Sequence, residues 1–483
     1  MKLLVTTLIF FCAATLIHFG AGPALADDAA AGQAKPPAKV SFFKDVRPIF
    51  QERCQGCHQP AKKQGGLSMT TFAEMRKGGD SEQPAFEPGK PDDSLLIEQV
   101  VSQNGQPPAM PKGADPLKPE LVELLKRWIV EGAVDDTPPS SEAPIDMQHP
   151  PVYSQPPVVT SLDFSPDGAL LAVSGYHEVL LHSGDGGGEL MGRLVGISER
   201  IESAVFSPDG KFLAVTGGSP GRFGEVQIWD VAARTLTLSH CVTYDTLYGA
   251  SWSGDGKLVA FGCADNTVRA IEAATGKQVL YQGAHSDWVL DTAFSSDNSH
   301  LVSVGRDGSM KLTDVATERF EDNITSITPG ALKGGLMVVR RNAKKDELLI
   351  GGSDGVPKIY QMYRTQARQI GDDFNRITRF AAEAVPGRIF AAQYSPDGSK
   401  VAIGSSLDGD GEVRILNEAD GKQVHKLAEK HGGVYAVTYR PDGKLLAVGG
   451  FDGTVRFFDP EAGTQVKELV PVPLTPGPLA VAK

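Results

Sequence analysis

Two cysteines and a histidine stand together near the start of the chain, at Cys54, Cys57 and His58, in the order Cys-Gln-Gly-Cys-His. In an exported protein this spacing is typical of covalent haem attachment, because two thiols can add across the haem vinyl groups while the adjacent imidazole reaches the iron. The thioether bonds retain the cofactor even where packing is loose. We therefore expect one covalently attached haem c whose iron is bound by His58.

A second iron ligand is expected further along the chain, and Met110 is the best candidate. A thioether is the usual partner of histidine in electron-carrying cytochromes, where it raises the reduction potential. Met110 lies in the segment Gln-Pro-Pro-Ala-Met-Pro, and its neighbouring prolines stiffen the loop that would hold this weak ligand. Met69 and Met75 are the alternatives, although ordinary core packing is the expected role of both.

Helical patterns flank this set of residues. Ser41 is a suitable N-cap for a helix whose apolar face includes Phe43, Val46, Ile49 and Phe50 and which runs into the haem motif. Pro119 and Glu120 begin a second helix, with an apolar side through Trp128 and with Gly132 as its stop. Two such helices, one before the motif and one at the end of the module, are the frame of a small all-α cytochrome c domain.

The first residues predict export. Lys2 precedes an apolar run, and Ala24-Leu25-Ala26 forms a small-x-small cleavage site, which is the layout of a secretory signal peptide. The alternative is a transmembrane anchor, but the run is short and is interrupted by His18 and Gly20. We predict a Sec-type signal peptide, no membrane span after its cleavage, and a periplasmic or otherwise extracytoplasmic location.

Charge narrows the class of partner. The chain carries a formal net charge of -12 at pH 7. A negative surface argues against binding to nucleic acid and to anionic lipid. It is compatible with docking to a basic protein, so the expected partners are redox proteins and envelope proteins.

Two further cysteines, Cys241 and Cys263, lie in strand-like segments outside the haem motif. Export permits a disulfide between them. Two separate buried thiols are the simpler interpretation, and the sequence leaves both open.

A proline-rich stretch after Val134 divides the chain, because a segment so rich in proline cannot form a core and is typical of an extended spacer. The predicted organisation is a signal peptide at 1–26, a linker at 27–40, a cytochrome c domain at 41–133, a Pro-rich linker at 134–157, a β-propeller at 158–470 and a C-terminal tail at 471–483.

The second module is repetitive. An aromatic residue followed by Ser-Pro-Asp-Gly, or a close variant, precedes an apolar strand at 164, 206, 252, 294, 394 and 439. Asp-Gly is a hairpin signal. With one degenerate copy near Val338, the period predicts seven four-stranded blades. The Asp-Gly pairs are expected to be turns rather than calcium ligands.

These copies resemble WD40 repeats: Trp229-Asp230 is one WD pair, and Thr313-Asp314 and Phe458-Asp459 are weaker equivalents. The Gly-His element is poor, so the histidine-to-aspartate network of such blades is expected to be mostly missing.

The first module resembles the cytochrome c domain found widely in planctomycete bacteria. The segment from Phe42 to Phe50, the haem motif, Gly65-Gly66-Leu67, Met110-Pro111 and the helix ending near Ile129 follow in that family's order. The resemblance implies haem c and electron transfer, and fusion to varied partners that include propellers. It predicts a multidomain protein, in which the small cytochrome domain precedes an all-β, seven-bladed WD40-like propeller.

Three functions compete. The first is a one-electron carrier on a protein-interaction propeller, the second is a propeller-based oxidoreductase that uses haem as an electron relay, and the third is a haem sensor. The propeller contains no HxH or HExxH motif. Its histidines, among them His285, His300, His425 and His431, are scattered singly. No catalytic residue is therefore predicted, and the carrier is the preferred interpretation.

Overall fold

The protein is mostly β. The computed structural model describes residues 39–475 except 55–57, 60–61, 104, 113–114, 138–144, 146, 329 and 428–431. The predicted signal peptide at 1–26, Cys57 and His431 lie outside the described residues. No helix within the described part of the chain is long and apolar enough to cross a membrane.

The first module is built from short helices. A π-helical turn at Phe42–Val46 leads directly into the first α-helix, and 3-10 turns cover Gln64–Gly66 and Pro91–Asp93. The described residues contain the α-helices α1 (Arg47–Arg53), α2 (Phe72–Lys77), α3 (Leu95–Val100) and α4 (Pro119–Val130). A two-stranded ribbon, β1 (His58–Gln59) and β2 (Lys62–Lys63), adds a small β element that the expectation of an all-α module did not include.

The helix signals in the sequence act locally. The Ser41 hydroxyl accepts a hydrogen bond from the backbone N–H of Lys44 at 3.0 Å, which satisfies one of the donors left open at a helix start. Pro119 occupies the first turn of α4, where its missing N–H costs nothing. After α4 the chain turns at Gly132, whose φ is 103°. The two predicted flanking helices are therefore present at the predicted places.

Aromatic rings fill the core of this module. Trp128 on α4 is 1% exposed. Its ring lies 5.5 Å from that of Phe42 in a stacked arrangement and 4.7 Å from that of Phe86 edge to face. Phe50 and Phe72 complete the group around the indole. Because these rings come from four separate segments, their packing fixes α1 and α4 relative to the intervening chain.

Six larger sheets follow, in which neighbouring strands in sequence pair antiparallel. The first sheet contains β3 (Leu162–Phe164), β4 (Leu170–Ser174), β5 (Tyr176–Ser183), β6 (Leu190–Phe206), β7 (Phe212–Ser219), β8 (Phe223–Asp230) and β9 (Thr235–Thr243). The second contains β10 (Leu247–Trp252), β11 (Leu258–Cys263), β12 (Val268–Glu272) and β13 (Gln278–Gln282). The third contains β14 (Val289–Phe294), β15 (His300–Gly305), β16 (Met310–Asp314) and β17 (Phe320–Asn323).

The last three sheets continue the pattern. The fourth has three strands, β18 (Leu336–Arg341), β19 (Glu347–Gly352) and β20 (Lys358–Gln361). The fifth contains β21 (Arg388–Tyr394), β22 (Lys400–Leu407), β23 (Asp410–Asn417) and β24 (Gln423–Leu427). The sixth contains β25 (Val434–Tyr439), β26 (Leu446–Gly450), β27 (Val455–Asp459) and β28 (Thr464–Leu469).

The Ser-Pro-Asp-Gly segments form the turns between the first two strands of a repeat. In one copy the Ser207 hydroxyl donates to Asp209 Oδ1 at 2.7 Å, and Lys211 N–H donates to the same oxygen at 3.1 Å. Gly210 has φ 71°, a conformation that glycine adopts without strain. These bonds lower the pKa of Asp209 to about 2. The aspartates of these segments are turn residues, as predicted.

One long strand joins two repeats. The first part of β6 pairs with β5, from Leu190 to Val195, and its last part pairs with β7, from Arg200 to Phe206. The seven strands of the first sheet thus correspond to two sets of four that share β6. The fourth sheet has one strand fewer than a set of four. Among the described residues, it continues beyond β20 through one isolated bridge, between Tyr360 and Arg376.

The first strands of the successive repeats contact one another in sequence order. β3 contacts β6, the contacts continue through β10, β14, β18, β21 and β25, and β25 contacts β3. The ends of the repeat region are also joined. Val159 N–H donates to Gly450 O at 2.9 Å, and Tyr153 and Val472 are buried together with Leu180.

One histidine network stiffens the third sheet. His285 Nδ1 lies 3.0 Å from Asp307 Oδ2, and His285 Nε2 lies 2.8 Å from Ser303 Oγ. Burial of Asp307 would raise its pKa, but the hydrogen bond and charge of His285, with further bonds from Ser309, outweigh burial and hold the pKa well below its ordinary value. This network is the arrangement that the sequence predicted to be rare among the repeats.

Acid is expected to weaken this sheet through Asp307. Because its folded-state pKa is depressed, its contribution to the free energy of unfolding is complete above about pH 4 and is lost as the pH falls further. Asp307→Asn should cost about 1–3 kcal/mol at neutral pH and should flatten the acid loss, as measured by urea unfolding at several pH values. The exposed Asp408→Asn is the control, and an unchanged acid profile in Asp307→Asn would contradict the prediction.

Candidate functional site

A cavity of about 480 Å³ lies in the first module. Apolar side chains from several segments form much of its wall, among them Leu67, Leu96, Val100 and Leu117. A volume of this size is in the range of small-molecule and cofactor pockets. Arg53 and Lys112 line the same cavity and bring positive charge to it.

His58 lies at the wall of this cavity, four residues after Cys54, which directly follows the last residue of α1. Its backbone N–H donates to Cys54 O at 3.0 Å, and its carbonyl accepts from Met69 N–H at 2.8 Å. Burial lowers the pKa of His58, and backbone hydrogen bonds with Gln64 and Leu67 oppose this shift without reversing it. Among the described residues the buried Nδ1 atom has no hydrogen-bond partner. A neutral imidazole with such a nitrogen is suited to bind a metal.

The structure brings two of the three candidate methionines to the cavity. Met110 is half-buried and Met69 is buried, and both line it. The Met110 backbone N–H donates to Gln99 O at 2.9 Å, which fixes its loop to the end of α3. Met75 is buried in the core on α2 and is not part of the cavity wall. Met69 therefore stays a rival ligand, because the return of the chain past His58 brings it to the wall, which sequence spacing does not reveal.

The cysteines divide between the two modules. Cys54 is half-buried at the end of α1 and lines the cavity. Cys241 on β9 and Cys263 on β11 are both described and are free thiols, so the disulfide left open by the sequence is not formed. Burial raises the pKa of Cys241 to about 11 and that of Cys263 to about 12. Neither thiol has the low pKa of a reactive nucleophile.

A second cavity, of about 420 Å³, lies among the first strands of the repeats. Glu202, Tyr248, Asp291, Arg340 and Tyr435 line it from five different strands, and the described residues of its wall include no histidine.

Charge in this second cavity is only partly balanced. Arg340 forms an ion pair with Asp291, which also accepts from Val339 N–H at 2.9 Å. Burial raises the pKa of Asp291 despite the charge of Arg340. Burial likewise raises the pKa of Glu202, and Arg200 opposes that shift.

The fold consists of a small helical module with an apolar cavity, followed by β-sheet repeats. Residues 54–113 match the family described as planctomycete cytochrome C. Residues 149–181, 276–314 and 421–459 match the WD domain, G-beta repeat. The chain thus combines a cytochrome-like segment of the planctomycete type with WD repeats, which confirms the resemblance recognised from the residues.

The curated proteins that are similar to this chain include WD repeat-containing proteins. The ribosome biogenesis protein WDR12 homolog of Chlamydomonas reinhardtii is 27% identical over 188 residues, which are 37% of this chain and 40% of that protein. The WD repeat-containing protein 26 homolog of Arabidopsis thaliana is 25% identical over 303 residues, 62% of this chain and 48% of that protein. Mouse coronin-7 is 29% identical over 191 residues, 37% of this chain and 20% of that protein. The matches thus span less than half the length of these relatives.

Proposed function

We propose that this protein is an exported one-electron carrier that holds one covalent haem c in its first module and uses its WD repeats as a docking platform. The observation that carries the proposal is the cavity of about 480 Å³ with His58, Cys54 and Met110 in its wall. When bound, haem supplies reversible one-electron chemistry at its iron. The expected location is periplasmic or otherwise extracytoplasmic.

Different residues of the first module would attach the haem, bind its iron and pack against it. Cys54 and Cys57 would form the thioether bonds, and the imidazole of His58 would bind the iron. Met110 would be the second ligand, because its loop is fixed to α3 and its side chain lines the cavity. The apolar side chains of the wall suit a flat and largely apolar group such as the haem macrocycle.

We also propose that the repeats form a seven-bladed propeller. The succession of contacts from β3 through β25 and back to β3 supports this number. The shared strand β6 supports counting the first sheet as two blades. The bonds between the two ends of the repeat region support closure. A closed ring of this kind offers a rigid surface to redox or envelope proteins.

One observation favours the alternative of a propeller-based oxidoreductase with haem as relay. The second cavity holds the Glu202 carboxyl, whose raised pKa suits a general acid or base. A redox-active group bound to the repeats would support that alternative. The carrier is preferred, since the predicted haem ligands cluster in the first cavity.

The ligand assignment predicts a specific spectral result. The charge-transfer band of a methionine–iron(III) bond should disappear in Met110→Leu, and the reduction potential should fall. The band should survive in Met69→Leu. Met75→Leu is the matched control, because Met75 is buried outside the cavity and a Met-to-Leu change costs under about 1.5 kcal/mol. Loss of the band only in Met69→Leu would move the ligand to Met69.

A further inference from the structure

Three potential metal ligands lie together in the third sheet, away from both cavities. His300 begins β15, Asp314 ends β16 and Glu321 lies in β17. The strand register places His300 directly opposite Asp314. One ring nitrogen and one oxygen of each carboxylate all lie within 4.8 Å of one another. Asp314 belongs to the Thr313-Asp314 pair, which is a weakened WD signature.

Neighbouring polar groups fix the tautomer of His300. The Ser299 hydroxyl lies 2.7 Å from Asp297 Oδ1 and must donate to it, because an ionised carboxylate only accepts. The same hydroxyl oxygen lies 2.7 Å from His300 Nδ1. Since serine has one hydroxyl proton, His300 Nδ1–H must be the donor of this second bond. The Tyr363 ring, edge-on at 5.3 Å, supports the imidazole.

In this tautomer the lone pair of His300 Nε2 faces the carboxylate of Glu321. Nε2 lies 3.1 Å from Glu321 Oε2. With the proton of a neutral imidazole on Nδ1, both facing atoms are acceptors, and such a contact requires a cation between them. The cation is either a second proton on the ring or a metal ion.

Asp314 brings a second carboxylate within reach of the His300 ring. Thr317 donates to Asp314 Oδ1 from its N–H at 2.8 Å and from its hydroxyl at 2.6 Å, which holds the carboxylate in place. One proton would leave two carboxylates sharing a single positive charge. A divalent ion balances both, and a histidine nitrogen held by a hydrogen bond on its other nitrogen is the usual arrangement at metal sites.

We propose that His300, Asp314 and Glu321 bind a divalent transition-metal ion, for which zinc is the best match. One imidazole and two carboxylates are within the ligand set of zinc. Glu321 is exposed, so a remaining coordination position can be filled by water. The ion would link three adjacent strands of the third sheet. This site does not depend on the proposed haem function.

Zinc titration of the full-length protein by calorimetry tests the site. Wild type should bind one equivalent of zinc that His300→Gln and Glu321→Gln lack. Ser299→Ala should bind it about 10-fold more weakly, because the imidazole loses the partner that fixes its tautomer. Zinc taken up by thiols at the haem motif would be common to all variants, so the readout is the difference of one equivalent.

His425→Gln is the matched control. His425 on β24 bonds through Nε2 to the backbone carbonyl of Glu461 at 2.9 Å and should leave zinc binding unchanged. Equal stoichiometry and affinity in wild type, His300→Gln and Glu321→Gln would overturn the proposal and assign the contact to a protonated histidine. Far-UV circular dichroism verifies that each variant is folded. Zinc-edge absorption of the loaded protein should then show nitrogen and oxygen neighbours.

Discussion

A chain in which Cys54 and Cys57 are both replaced by alanine is expected to lose all covalently bound haem. The thioether bonds require both sulfur atoms, and Cys54 lines the cavity that would hold the macrocycle. Intact mass and the absorbance of haem after acid–acetone extraction measure the outcome. Wild type should retain one haem per chain in the protein fraction, and the double variant should retain none.

Cys241→Ala is the control for this experiment. Cys241 is a half-buried free thiol on β9, so its loss tests whether removal of any thiol affects haem content. Haem that stays with the protein after extraction of the double variant would refute attachment at these positions. Loss of haem in Cys241→Ala as well would indicate that reduced folding, rather than missing thioethers, explains the result.

Local signals in the sequence were sufficient to predict the helices that frame the site. Ser41, Pro119 and Gly132 act on their immediate neighbours, so they mark helix ends without knowledge of the fold. The Asp-Gly turns were predictable for the same reason, since Asp209 and Gly210 complete their hydrogen bonds within five residues. The predicted spacing of the repeats rests on these turns.

Long-range pairing accounts for what the sequence did not reveal. Met69 reaches the cavity because its backbone bonds to His58, eleven residues earlier. His300 faces Asp314 only through strand register. In the sequence His300 stands alone, whereas in the structure the carboxylates of Asp314 and Glu321 lie beside it. The Tyr153 and Val472 contact likewise joins segments more than three hundred residues apart.

Replacing Trp128 by alanine is expected to destabilise the first module by about 3–5 kcal/mol, the usual range for a buried tryptophan. The indole is 1% exposed and touches four phenylalanine rings, so no neighbour can fill the space without moving another ring. Trp128→Phe should cost less, because it keeps most of the ring contacts and loses mainly the bond from Nε1 to Val134 O at 3.2 Å.

Denaturant unfolding followed at two signals measures the effect. The haem absorbance should change at a lower denaturant concentration in Trp128→Ala, whereas the far-UV signal of the sheets should keep its midpoint, since the linker predicted at 134–157 separates the two cores. Trp252→Ala is the matched control: Trp252 on β10 donates through Nε1 to Val205 O at 3.0 Å, so its loss should move only the sheet transition. If both signals shift together in either variant, the two modules unfold as one cooperative unit and the predicted boundary is wrong.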